Sequence, residues 1–179
     1  MHHSRNQKIN QINEHTLIIG IDIAKSFHYA IAIDERGREL SKSWLVAQSA
    51  QGFEKFYDKL IELMKIHGKT TVYVGFEPTG HYWMNLASFL KDRGIPTVLV
   101  NPMHVKKSKE LDDNSQSKND QKDARVIAKL IPQGNYSVQR TMSEDDHELR
   151  QGSAFRTRLQ ETITSVKNRI RRWMDLYFP

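Results

Sequence analysis

Leu17-Ile18-Ile19-Gly20-Ile21-Asp22 is an apolar run that stops on a carboxylate, and Val72-Tyr73-Val74-Gly75-Phe76-Glu77 does the same further along the chain. Short runs rich in β-branched and aromatic residues read as buried strands. Both acids therefore stand at strand tips. A carboxylate beside a buried strand is costly to desolvate unless a cation or hydrogen bonds compensate it. Two more acids, Asp120 and Asp123, lie three apart in Asn119-Asp120-Gln121-Lys122-Asp123-Ala124-Arg125-Val126-Ile127-Ala128, a good helix former, so both project from one helical face. Taken singly, Asp22 reads as a turn or cap residue, Glu77 as a strand exit before Pro78-Thr79-Gly80, and the aspartate pair as a solvated face. Jointly, two acids ending core strands and two sharing a helix can meet at one sheet edge, where a divalent ion would join them.

Outward from these runs, residues 16–22, 27–34 and 40–47 read as three strands, with Glu35-Arg36-Gly37-Arg38 as the hairpin turn between the second and third. Phe53, Phe56, Tyr57, Leu60, Ile61 and Met64 recur at helical spacing, and Gly68 closes that helix. A strand at 71–77, a helix at 80–92 closed by Gly94, a strand at 96–100 and a helix at 103–111 come next. This alternation implies parallel strands joined by crossovers. Residues 112–118 read as a mobile polar loop leading to the helix that carries Asp120 and Asp123 and ends before Pro132. His81, Tyr82 and Trp83 either anchor a helix start in the core or offer rings for stacking on a base.

The 179 residues, 38% of them hydrophobic, suffice for one domain and an appendage. With no cysteine, disulfides and thiolate metal sites are excluded. No apolar stretch approaches the ~20 residues of a membrane span, and Met1-His2-His3-Ser4-Arg5-Asn6-Gln7-Lys8 has no signal-peptide core. A soluble, cytoplasmic chain without membrane contact is expected. Of the net charge of +6, +5 resides in residues 150–179, where seven basic residues face only Glu161 and Asp175. A basic helix is a usual footprint of a nucleic-acid partner, and equally a solubilising face. Along it Leu159, Ile163, Val166, Ile170, Trp173 and Tyr177 are spaced as an a/d heptad seam, which calls for a partner, either the chain's own domain or a second copy. The end at Phe178-Pro179 cuts into that pattern, as a truncation would.

Three antiparallel strands, a helix, a parallel strand tipped by an acid and a late acid-bearing helix match the order of elements in the ribonuclease H-like fold. More closely, Gly20-Ile21-Asp22-Ile23-Ala24-Lys25, Gly75-Phe76-Glu77-Pro78-Thr79-Gly80-His81-Tyr82-Trp83, Val100-Asn101-Pro102 and Lys118-Asn119-Asp120-Gln121-Lys122-Asp123-Ala124 resemble the amino-terminal RuvC-like domain of the DEDD transposases of insertion-sequence family one-ten, relatives of the Piv invertase. The resemblance spans about residues 16–179. Its EPTGHYW and NDxxDA blocks carry it, whereas GIDIAK is shared with actin-like ATPases and sugar kinases.

The resemblance implies an α/β, RuvC-like mixed five-stranded sheet flanked by helices, followed by a long C-terminal helix that begins a coiled coil. Residues 1–14 are then a disordered segment, 15–143 the catalytic domain and 144–179 the basic heptad helix, with a serine-bearing C-terminal transposase domain absent from this chain. It further implies a DNA recombinase in which Asp22, Glu77, Asp120 and Asp123 hold Mg²⁺ or Mn²⁺, two ions, beside the scissile phosphate. DNA, a structured bridge-type guide RNA in some members, and a second copy are the implied partners. Lys25 and Arg125 near the acids, Lys106, Lys107 and Lys109 before them, and Arg158, Lys167, Arg169, Arg171 and Arg172 on the last helix are the candidate nucleic-acid contacts, with structural ion pairs the alternative for Lys25 and Arg125. Two rivals share the acids: a Holliday-junction resolvase-like nuclease and a non-catalytic nucleic-acid-binding dimerisation module. An actin-like phosphotransferase would need a glycine-rich loop after the first Asp, and Ile23-Ala24-Lys25-Ser26 has none.

Overall fold

The computed structural model describes residues 4–78, 80–112, 120–138 and 144–178, without the side chains of residues 111, 112, 120, 121, 144–147 and 150. Its elements run α1 (Arg5–Asn10), β1 (Thr16–Asp22), β2 (Phe27–Ile33), β3 (Trp44–Ala47), α2 (Ala50–Ile66), β4 (Thr71–Phe76), α3 (Trp83–Asp92), β5 (Thr97–Val100), α4 (Pro102–Asp112), α5 (Asp120–Leu130), β6 (Tyr136–Val138) and α6 (Glu144–Tyr177). They fall into two units, one ending at Gln139 and one beginning at Arg140.

In the first unit the strands form one sheet in the order β3-β2-β1-β4-β5-β6. β1 lies inside it, antiparallel to β2 and parallel to β4, so six of its seven residues are buried. That double coverage is why its sequence is a continuous apolar run rather than an alternation. Leu17, Ile19 and Ile21 point into one core with α2 and α3 (Phe53, Phe56, Leu60, Leu86, Leu90); Ile18 points into the other with α5 (Ala124, Ile127, Ala128) and Ile131 just beyond it.

Glycine decides how close α5 comes. A Cβ on Gly20 would sit 2.2 Å from the Ala124 carbonyl oxygen and 2.5 Å from the Ala128 nitrogen, so the helix backbone lies directly on the strand. Gly75, its neighbour in register on β4, would meet the Ile131 Cδ1 methyl at 2.5 Å, a side-chain end rather than backbone.

The hairpin turn stands where the sequence predicts it. Gly37 takes φ 83°, and the buried Asp34 carboxylate accepts from the Arg36 and Arg38 amides at 2.9 and 2.8 Å and from the Arg38 guanidinium at 2.5 Å. Burial raises the Asp34 pKa, but these hydrogen bonds outweigh it and hold the carboxyl below its ordinary value. His28, also buried, is held below the ordinary imidazole value chiefly by desolvation. Both depressions act in the same direction. The unfolded chain takes up a proton at His28 as pH falls through about 6.5, and at Asp34 through about 3.8, before the folded chain does. Urea midpoints are therefore expected to fall in two acid windows, the upper one disappearing in His28→Phe.

Three expectations need correction. The sheet has six strands rather than five, because Tyr136–Val138 pairs antiparallel with β5; three residues are too few for an alternation to register. Within the segment expected to be disordered, Arg5–Asn10 is helical: Ser4 and Gln7 form a reciprocal capping box, and the Arg5 guanidinium and Lys8 ammonium donate to the Gln133 and Tyr136 carbonyls. β3 begins at Trp44, preceded by a single bridge between Ile33 and Glu39, so it is shorter than the run at 40–47. The mobile loop expected at 112–118 lies, apart from Asp112, outside the described residues.

Among the described residues no helix is long and apolar enough to cross a membrane. In the second unit α6 is a single 34-residue helix, with the seam residues Leu159, Ile163, Val166, Ile170, Trp173 and Tyr177 each between 46% and 60% exposed.

Candidate active site

The register of two parallel strands sets the geometry. Ile21 pairs with Phe76, so the next step along each strand brings Asp22 beside Glu77, with adjacent strands about 4.8 Å apart. Side chains two residues apart share a face, so Asp22 follows Gly20, and Glu77 follows Gly75, toward α5. Both are half-buried.

α5 brings the next acid to the same place. Ala124 and Ala128 rest on Gly20, and Asp123, one residue before Ala124, is within electrostatic reach of Glu77. Burial pushes the Glu77 carboxyl above its usual range; the Lys109 ammonium pulls against that shift, and the Asp123 carboxylate adds to it. Lys109, from α4, donates to Asp123 at 2.7 Å. A cation thus already stands among the acids. Asp120 begins α5 one turn ahead of Ala124, and its side chain lies outside the described residues.

The donors are hard carboxylate oxygens, and the cluster holds an ammonium as countercharge. That chemistry fits Mg²⁺ or Mn²⁺. Among the described side chains, no three acids or imidazoles are close enough to hold a metal ion as they stand. Lys109 occupies one of the two oxygens of Asp123, Oδ2.

The expected nucleic-acid contacts divide. Lys25, Lys106 and Lys107 are exposed, as are Arg158, Lys167, Arg169, Arg171 and Arg172 on α6. Lys109 is instead engaged with Asp123, and Arg125 pairs with Glu39 at 2.7 Å. Trp83 is buried in the core and donates to the Gly80 carbonyl, so it anchors the start of α3, while His81 is exposed and stacks against Tyr82. Sequence reasoning missed His28 and Gln48. The available signal was a histidine on the core-facing phase of β2, alongside Ala30 and Ala32.

A mixed sheet of this strand order, with acids at the tips of adjacent inner strands and a helix laid across them, is the ribonuclease H-like architecture. The family model of the IS110 DEDD transposases, described as transposase, matches residues 19–179, and the chain belongs to that family of DNA-processing enzymes. Among solved structures it is similar to T. thermophilus RuvC in complex with a Holliday junction substrate, at 18% identity and a TM-score of 0.41, over 64% of this chain and 90% of that one. Comparison with curated proteins gives no match.

Proposed function

We propose that this chain supplies the metal-dependent DEDD half of a DNA transposase's strand cleavage and transfer site, with Asp22, Glu77, Asp120 and Asp123 as ligands of Mg²⁺. The reading rests on one observation above all: the register that sets Asp22 beside Glu77 under a helix carrying Asp123. When bound, a pair of divalent ions would activate the attacking oxygen and stabilise the leaving one. The chain's own part is to hold the carboxylates on a rigid sheet edge and to keep Lys109 as countercharge until ligation. Released from Asp123, Lys109 would be free to meet a phosphate, as would the exposed Lys25, Lys106 and Lys107. In such a transposase a serine nucleophile would complete the reaction, and a structured RNA would choose the DNA partners. Calorimetric titration with Mn²⁺ is expected to show saturable binding that Asp22→Asn and Glu77→Gln each abolish. Heat no different from buffer in the unsubstituted chain would contradict the proposal.

The same reading takes α6 as a dimerising, nucleic-acid-binding helix. Its seam is half exposed over a helix about 51 Å long, and an unpartnered helix of that composition is marginal in water. The five basic residues lie off the seam and stay free for phosphates. Ile163→Asp combined with Ile170→Asp is expected to convert a dimer to a monomer by light scattering, and DNA affinity of the unsubstituted chain should fall steeply with salt. An unsubstituted chain that is already monomeric would defeat the dimer reading.

A further inference from the structure

His28 and Gln48 link the two loops that leave the candidate acids. The Ala24 amide, two residues beyond Asp22, donates to His28 Nδ1 at 3.2 Å. A backbone amide can only donate, so Nδ1 is the unprotonated nitrogen and Nε2 carries the hydrogen. His28 Nε2 then donates to Gln48 Oε1 at 2.5 Å, and Gln48 Nε2 donates to the Tyr82 carbonyl at 2.9 Å, in the loop after Glu77. Gln48 is itself held, because its backbone amide donates to the Ser26 carbonyl at 3.0 Å. Three hydrogen bonds, each aligned donor to acceptor, thus run from the β1 exit to the β4 exit.

The sheet places this chain of bonds away from the chemistry. Tyr29 pairs with Asp22 and shares its face, so His28, the adjacent residue, projects from the opposite face into the core with α2 and α3. Neither His28 nor Gln48 can ligate a metal held on the α5 face. Their effect must pass through the backbone.

We infer that His28 and Gln48 are positioning residues, a buried clamp that fixes the spacing of the Asp22 and Glu77 tips from beneath the sheet. The inference deepens the proposed metal site and rests on that reading for its functional consequence. Orienting groups behind metal ligands typically contribute roughly 10–100-fold to affinity. Asp22 is the last residue of the β1–β2 ladder and Glu77 lies one residue past the end of β4, so both acids stand where the ladder gives way to the two loops that the clamp joins. Gln48 is only partly buried, so its removal leaves no large cavity.

Amide hydrogen exchange and Mn²⁺ titration on Gln48→Ala test the clamp, with His28→Phe as the second variant. In metal-free protein, protection of the Ala24 amide and of the Met84 amide, which donates to the His81 carbonyl in the second loop, is expected to fall together by roughly tenfold or more. Ile19, in the middle of β1, should keep its protection. Mn²⁺ affinity should drop by roughly 10–100-fold. Unchanged exchange at Ala24 and Met84, or an equal loss at Ile19, would overturn the clamp whether or not metal binds. Loosened loops with unaltered Mn²⁺ affinity would overturn its positioning role, whereas an unsubstituted chain that binds no Mn²⁺ would count against the metal site itself.

Discussion

Asp22→Ala, made in a transposase that carries this domain in full, is expected to lower strand cleavage by roughly 10²–10³-fold or more while leaving the fold as stable as before. The two effects separate because Asp22 ends its strand and contributes charge rather than core packing. Removing one of several neighbouring carboxylates also relieves repulsion, so the urea midpoint should hold or rise. Asp123→Ala should act alike on cleavage, though it also frees the Lys109 ammonium. Measured side by side, cleavage rates and urea midpoints should part company. A midpoint that falls in step with activity would mark the acids as structural.

Gly20→Ala carries the second large effect, in the opposite order. The added methyl would meet helix backbone at 2.2 Å and 2.5 Å, neither of which can rotate away, so α5 must shift as a whole. A cost of roughly 3 kcal/mol is expected, a large share of a typical domain's roughly 5–15 kcal/mol. Since α5 carries Asp123, Mn²⁺ binding should fail along with stability. Gly75→Ala provides the contrast: its methyl meets the flexible end of Ile131, and a rotamer change should contain the cost to about 1 kcal/mol. Equal urea midpoints for the two variants would show that the helix is not pressed onto β1.

Much of this arrangement was legible in the chain because the decisive elements are long and apolar. Leu17–Asp22 and Val72–Glu77 are continuous hydrophobic runs, and burial on both faces of the inner strands is what makes them so. Their acids announced themselves as charges at the ends of such runs. That Asp22 comes out beside Glu77, one step past the paired Ile21 and Phe76, depends by contrast on parallel register, which only the packing of both faces settles. Asp123 was legible as part of a helical pair, but its partner Lys109 was not, since that contact joins two helices across sequence distance. β6 was missed because three residues carry no period, and α1 because a short helix, polar but for Ile9, gains its order from a capping box and from contacts with Gln133 and Tyr136 far along the chain. His28 was overlooked for a related reason. A buried polar residue is explained by its hydrogen-bond partners, and Gln48, which joins His28 to the loop after Glu77, lies twenty residues further along the chain.

The central claim is that the tips of β1 and β4, with the start of α5, hold divalent metal. Anomalous diffraction from crystals soaked in Mn²⁺ addresses it directly. The expected result is an anomalous peak bonded at about 2.0–2.3 Å to carboxylate oxygens of Asp22 and of at least one of Glu77, Asp120 and Asp123, with the Lys109 ammonium displaced from Asp123. Peaks confined to other parts of the surface, with the Lys109–Asp123 pair intact at saturating Mn²⁺, would contradict it.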